Sequence, residues 1–131
     1  MSARPLPGAA SPKTTAVSGS PTLGELEWMG SVVSLARPLG WRVAHFRPAR
    51  TVHGWRTAGS YDAAGFPDLV LVHPERRLVL WRELKAEGEP LRPEQKLWRD
   101  WLTDAGADWG VWTPRDLPEV AHIITGLEVA R

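Results

Sequence analysis

Apolar residues recur at helical spacing over Trp28, Met29, Val32, Val33 and Ala36, which predicts a first helix ended by Pro38 and Gly40. Thr22 and Glu25 ahead of it have the spacing of a capping box. Trp41–Phe46 reads as a first strand, and a loop containing Gly54 and Gly59 then runs on to Ala64. Two apolar runs follow, Gly65–Val72 and Leu78–Lys85, expected to pair as a hairpin that turns through His73–Arg77. Apolar residues fall on both faces of each run, the pattern of central strands covered by helices on both sides. Pro93 suits the first turn of a second helix whose expected buried stripe is Leu97, Trp98, Trp101, Leu102 and Ala105, with Gly106 as its stop. A strand near 109–113 and a helix near 116–125, carrying Leu117, Val120, Ala121 and Ile124, complete the order αβββαβα. The fold class is α/β, a mixed sheet flanked by helices.

Three ionisable residues interrupt the two apolar runs: Asp68, Glu83 and Lys85. Charged side chains are rarely buried in a small core unless they are paired or bind a metal. Side chains alternate along a strand, so Glu83 and Lys85 share a face and Leu84 points the other way. If the runs pair side by side, Asp68 joins them. Two carboxylates and an amine on one surface can hold a divalent cation and orient water against a phosphodiester. Asp68 and Glu83 are then the metal ligands, the backbone carbonyl of Leu84 a third oxygen, and Lys85 the group that neutralises phosphate or positions water. The plainer alternatives are a strand-start Asp after proline and an exposed Glu83–Lys85 ion pair, the second disfavoured by apolar neighbours on both faces. Arg82 also breaks the apolar pattern, and a frayed strand or an end-of-sheet position would accommodate it.

The succession Pro67-Asp68, Glu83-Leu84-Lys85 resembles the PD-(D/E)XK nuclease signature. Gly65-Phe66 before it, Gly88 after it, Leu91–Gln95 with Trp98, Ala105-Gly106 and Gly110–Pro114 make it similar to the VRR-NUC branch. The upstream Leu35-Ala36, Gly40-Trp41 and His45-Phe46 are similar to small stand-alone members of that branch. The resemblance spans roughly residues 22–125. It implies a restriction-endonuclease-like core and a Mg²⁺- or Mn²⁺-dependent DNA endonuclease, with branched or flapped DNA as the expected target. A catalytically weak nucleic-acid-binding module of the same fold is the alternative, and a Trp-rich surface that docks another protein is a third. Small members of the branch act as homodimers, and a homodimer is expected here. The branch also places a Gln on the helix after the ExK strand beside the acidic pair. Gln95 is that residue, unless it serves only as a core amide. Related nucleases add an acidic residue from the first helix. Glu25 shares a face with Trp28, Met29 and Val32, whereas Glu27 lies with Gly30, Ser31 and Ser34, so Glu25 is the expected further ligand, with helix capping as its other role.

Composition narrows the partners. Arg42, His45, Arg47, Arg50, His53 and Arg56 occur with no acidic residue before Asp62, a run suited to phosphates or to an ordinary solvated loop. Trp55 within it can stack on an unpaired base or simply pack, and His45 can donate to phosphate or be structural. The chain has 131 residues, one domain's worth, and a net charge of +1, which is too small to coat nucleic acid by bulk electrostatics. It has no cysteine, so disulfides, thiolate metal sites and cysteine nucleophiles are excluded and an intracellular, cytoplasmic setting is the simpler expectation. Residues 1–21 are rich in Pro, Ala, Ser and Gly and read as a disordered leader, leaving 22–131 as the nuclease domain. No apolar run reaches the length of a membrane span.

Overall fold

A computed structural model describes residues 23–46, 48–51, 54–57 and 61–127. The leader, Thr22 of the capping box, Arg47, His53 and Gly59 lie outside them. Helix α1 (Leu23–Ala36) runs into a 3₁₀ turn at Arg37–Leu39 and then strand β1 (Arg42–His45). Gly40 takes the left-handed backbone that closes this turn, its N–H on the Arg37 carbonyl. Strands β2 (Pro48–Thr51) and β3 (Gly54–Thr57) form a separate antiparallel pair. Strands β4 (Leu69–His73) and β5 (Leu78–Leu84) are followed by helix α2 (Pro93–Asp104), strand β6 (Asp108–Trp112) and helix α3 (Leu117–Thr125).

The main sheet has the order β1-β4-β5-β6, with β1, β4 and β5 antiparallel and β5 and β6 parallel. A parallel pair needs a crossover, and α2 supplies it. Its strands and the three helices follow the expected order αβββαβα. The hairpin β2–β3 is the addition, lying where the sequence predicts a loop between Phe46 and Ala64. Pro48 and the dispersed basic residues hide it from a period-two reading.

One face of the sheet makes the core. Leu69 and Leu71 of β4 sit across from Arg82 and Leu80 of β5, and Leu84 lies beside Trp112 of β6. Trp28, Val32 and Ala36 of α1 and Val120 and Ile124 of α3 close over these residues. The buried indoles satisfy their N–H groups on distant backbone: Trp28 Nε1 donates to the Trp112 carbonyl at 3.0 Å and Trp41 Nε1 to the Ile124 carbonyl at 2.9 Å. The first ties the middle of α1 to the end of β6, and the second ties the residue before β1 to the last turn of α3.

The opposite face departs from expectation: among the described residues only α2 crosses it, and an open groove lined by Val79, Trp81, Leu102 and Ala107 remains between helix and sheet. The stripe of α2 that turns inward is Gln95, Trp98 and Leu102, whereas Leu97 and Trp101 are half exposed and Ala105 is exposed. A straight helix beside one edge of a twisted sheet touches it along a narrow line, too narrow for five residues. Arg82 is neither frayed nor at a sheet end. Its guanidinium lies over the Trp112 ring, 4.8 Å from the centroid, and pairs with Asp108 Oδ1 at 2.9 Å. That partner, 26 residues on, compensates its burial.

Candidate active site

Strand β4 stops one residue short of the ladder's end, and a side chain completes it. Asp68 Oδ2 accepts the Leu84 N–H at 2.9 Å, in place of a backbone carbonyl. This turns the Asp68 carboxyl toward β5. There it lies in hydrogen-bonding contact with the Glu83 carboxyl, so both stand on the same side of the sheet. Glu83 and Lys85 are 3% and 5% exposed, and the Leu84 side chain between them faces the core. The Lys85 N–H is held by the Trp112 carbonyl at 3.1 Å, which extends the parallel pairing just past the end of β5.

Gln95 enters from the first turn of α2 and is 4% exposed. Its Oε1 accepts the Arg92 N–H at 2.8 Å, and its Nε2 donates to Glu83 Oε2 at 2.8 Å. One amide therefore caps the helix and fixes the carboxylate. The position is set by Gly65, whose φ of +81° suits glycine and whose backbone lies against the Glu94–Gln95 peptide. No side chain fits between that segment and α2.

The first helix contributes Glu25, half-buried, while Glu27 is exposed. Glu25 is in hydrogen-bonding contact with Glu89, and both Lys85 and Asp68 are near enough to act on its charge. Sequence reasoning misses Glu89, since it lies in a loop with no periodicity; its closeness along the chain to Lys85 is the only signal there is. Its Oε1 also accepts the Ala86 N–H at 3.2 Å. Four carboxyl groups thus surround Lys85, with Arg92 as a second cation acting on Asp68 and Glu83.

The electrostatics follow from crowding. Burial, then the negative charge of Asp68, pushes Glu83 well above the ordinary carboxylate range, against the pull of Lys85 and Arg92. Burial also raises Asp68, opposed by its hydrogen bonds with Glu83 and the Leu84 N–H. Burial first, then the bond and charge of Glu89, moves Glu25 up to about 8. Burial works against Glu89 as well, yet the hydrogen bonds from Glu25 and Ala86 outweigh it and hold Glu89 below the usual range. Within each carboxyl pair like charge opposes joint ionisation, and a cation between the two groups would relieve it. Among the described residues no three Asp, Glu, His or Cys side chains form a ready-made metal cage. A cation here would rely on the Asp68–Glu83 pair, with backbone oxygen and water completing its shell, a set that suits Mg²⁺ or Mn²⁺.

The basic residues are dispersed. Arg42 is exposed at the start of β1, and His45, half-buried at its end, sits opposite Leu69. Arg50 and Trp55 are backbone partners across the β2–β3 hairpin and Arg56 pairs with Ala49, so these lie on strands and not in a loop. The side chains of Arg50, Trp55 and Arg56 lie outside the described residues.

Residues 56–116 match the model of the VRR-NUC domain. The chain is 39% identical over 62 residues to a Fanconi-associated nuclease 1 homolog of Caenorhabditis briggsae. That stretch is 46% of this chain but 7% of the relative, so the chain corresponds to a small part of that protein. No solved structure matches. The matched segment holds Asp68, Glu83, Lys85 and Gln95, the residues that converge at the end of β5, and over that segment the chain is similar to the VRR-NUC nuclease family.

Proposed function

We propose that this chain is a divalent-metal-dependent endonuclease that hydrolyses phosphodiester bonds of DNA, with branched or flapped DNA as its substrate. The observation that carries the reading is the contact between the Asp68 and Glu83 carboxyls at the end of β5, with Lys85 beside them and Gln95 bonded to Glu83. Two acids in contact resist joint ionisation even with Lys85 and Arg92 acting on them, and a divalent ion between them would relieve that crowding. Asp68, Glu83 and the Leu84 carbonyl would hold it, with Glu25 reached through water. The ion, when bound, supplies Lewis-acid stabilisation of the charge that develops on phosphorus oxygens.

The chain's own groups do the rest. Lys85, held among carboxyls, orients the attacking water or neutralises a phosphate oxygen. Gln95 keeps Glu83 from rotating, so the oxygen facing the substrate stays in place. Arg42, His45, Arg47, Arg50 and Arg56 would meet phosphates along the duplex, and Trp55 an unpaired base. The catalytic unit is one domain over residues 22–131, preceded by a leader at 1–21, and it acts as a homodimer, which suits a substrate with two strands to cut. Among the described residues no helix is long and apolar enough to cross a membrane; the proposed setting is the cytoplasm.

The test is cleavage of linear, flapped and four-way DNA by the purified protein with Mg²⁺, Mn²⁺ or EDTA. Cutting of flapped or four-way DNA in either metal, abolished by EDTA, is expected. Cutting that survives EDTA overturns the metal assignment, and binding without cutting in both metals assigns the chain to the non-catalytic alternative.

A further inference from the structure

Four aromatic rings form a row beside the acidic pair. Phe46 meets Phe66 at 5.3 Å, Phe66 meets Trp98 at 4.9 Å, and Trp98 meets Trp101 at 5.2 Å, each pair edge to face. The row is attached to the site at two points. The Phe46 N–H donates to the Asp68 carbonyl at 3.0 Å, and Trp98 lies one helical turn beyond Gln95. Its middle rings are half-buried. Its two ends are open, with Phe46 39% and Trp101 47% exposed.

A fifth aromatic residue immediately precedes a backbone group that the row holds. Trp98 Nε1 donates to the Asp62 carbonyl at 2.9 Å, and Tyr61, the preceding residue, is fully exposed with φ of +59°. A non-glycine residue rarely adopts that backbone unless its surroundings enforce it. Here the bond from Trp98 pins the adjacent peptide, and the tyrosine ring is held out in water.

We infer that this row is a stacking platform for unpaired nucleotides, contacting the single-stranded part of the DNA next to the bond that is cut. A satellite core beneath a loop would bury its rings, whereas this one leaves the aromatic ends of a connected row open at the rim of a phosphate-cleaving site. Every base has a π-face, so stacking recognises an unpaired strand without reading sequence, and a base in a duplex is not available to it. The inference rests on the nuclease reading and explains why that nuclease would prefer flaps and branches.

The test uses the full chain carrying Asp68→Ala, so that binding is measured without cleavage, together with variants Phe46→Ala, Trp101→Ala, Trp101→Phe and Tyr61→Asn. Asparagine tolerates the left-handed backbone, so Tyr61→Asn removes the ring alone. Labelled single-stranded, flapped and blunt duplex oligonucleotides of equal length are titrated at several salt concentrations. Loss of Trp101 or Phe46 is expected to weaken binding of single-stranded and flapped DNA by about fivefold or more, with duplex affinity changed less than twofold. Trp101→Phe should restore most of it. The salt slope should not move, because stacking releases no counterions. Equal losses on duplex DNA, or unchanged affinity for every DNA, overturn the inference. So does a variant that sediments as a smaller species with unaltered DNA affinity, which would make the row a protein interface. Failure of the nuclease reading has a separate signature: protein with Asp68 intact that cuts nothing in Mg²⁺ or Mn²⁺ while stacking selectivity persists.

Discussion

The backbone of Gly65 lies directly against the amide nitrogen of Gln95: a Cβ at position 65 would stand 2.8 Å from it. Two distant parts of the chain therefore meet with no side chain between them, and the Pro67-Asp68 end of β4 is set beside the first turn of α2. Gly65→Ala is expected to destabilise the protein by roughly 2 kcal/mol or more, from the positive φ and the clash together. Cleavage should fall as well, since Gln95 and Asp68 would separate. A variant that melts and cuts like the parent would show that the segment yields freely.

Asp68→Ala and Glu83→Ala should each abolish cleavage and leave the fold intact. Either change relieves like-charge crowding and removes little apolar packing, so the metal-free proteins should melt no lower than the parent. The Asp68 variant also frees the Leu84 N–H, which water at the strand end can satisfy. Wild-type cutting rates in Mg²⁺ would place the site elsewhere.

Gln95 has two roles that different substitutions separate. Gln95→Ala removes both the cap on Arg92 and the donor to Glu83; cleavage should fall by roughly one to two orders of magnitude and stability by about 1 kcal/mol. Gln95→Glu keeps an acceptor for the Arg92 N–H and sets a further carboxyl against Glu83. It should keep most of the cap and lose activity like the alanine variant. Loss of melting temperature with normal cleavage in both would make Gln95 a core amide only.

The acidic cluster makes stability depend on pH in a defined direction. An unfolded glutamate ionises near 4.5 and folded Glu25 near 8, so between these values the folded state holds a proton that the unfolded state has released. Stability of the metal-free protein therefore falls as pH rises through that window, and Glu83, raised for similar reasons, adds to the fall. Glu89 is shifted the other way, and its contribution is lost only as pH drops below the ordinary glutamate value. Urea midpoints in EDTA, followed from mildly acidic to mildly alkaline buffer, should decline, and Mg²⁺ or Mn²⁺ should flatten the curve by taking the proton's place. A midpoint that rises across this range would contradict the arrangement.

Charge reversal at Arg50 and Arg56 should weaken DNA binding independently of sequence and reduce the salt slope by about one for each phosphate no longer neutralised. Unchanged affinity and slope would make the hairpin a solvated surface.

What could be read from the sequence follows the range of each interaction. Alternation along β5 is local, and it suffices to place Glu83 and Lys85 on one face with Leu84 on the other. The proline before Asp68 and the Pro93 helix start are equally local. Arg82 is a different case, because the Trp112 ring and the Asp108 carboxylate that hold it belong to β6 and become neighbours only when α2 has crossed over. Leu97 and Trp101 mislead for the converse reason: helical spacing marks a face but not whether another element reaches it. Glu89 has no pattern around it, and its bond with Glu25, far back in the first helix, is a contact that the local sequence does not signal.

The four consecutive buried residues Arg82, Glu83, Leu84 and Lys85 have a consequence for how the chain folds. They alternate between two incompatible environments, a cation over an indole and a leucine in the core on one side, two ionisable groups at the site on the other. Displacing β5 by a single residue along its neighbours would drive Glu83 and Lys85 into the hydrocarbon layer and expel Leu84 from it. Mispaired forms of the sheet are thereby heavily penalised. The same side chains proposed to cleave a phosphodiester also act, during folding, as a proofreading device for strand alignment.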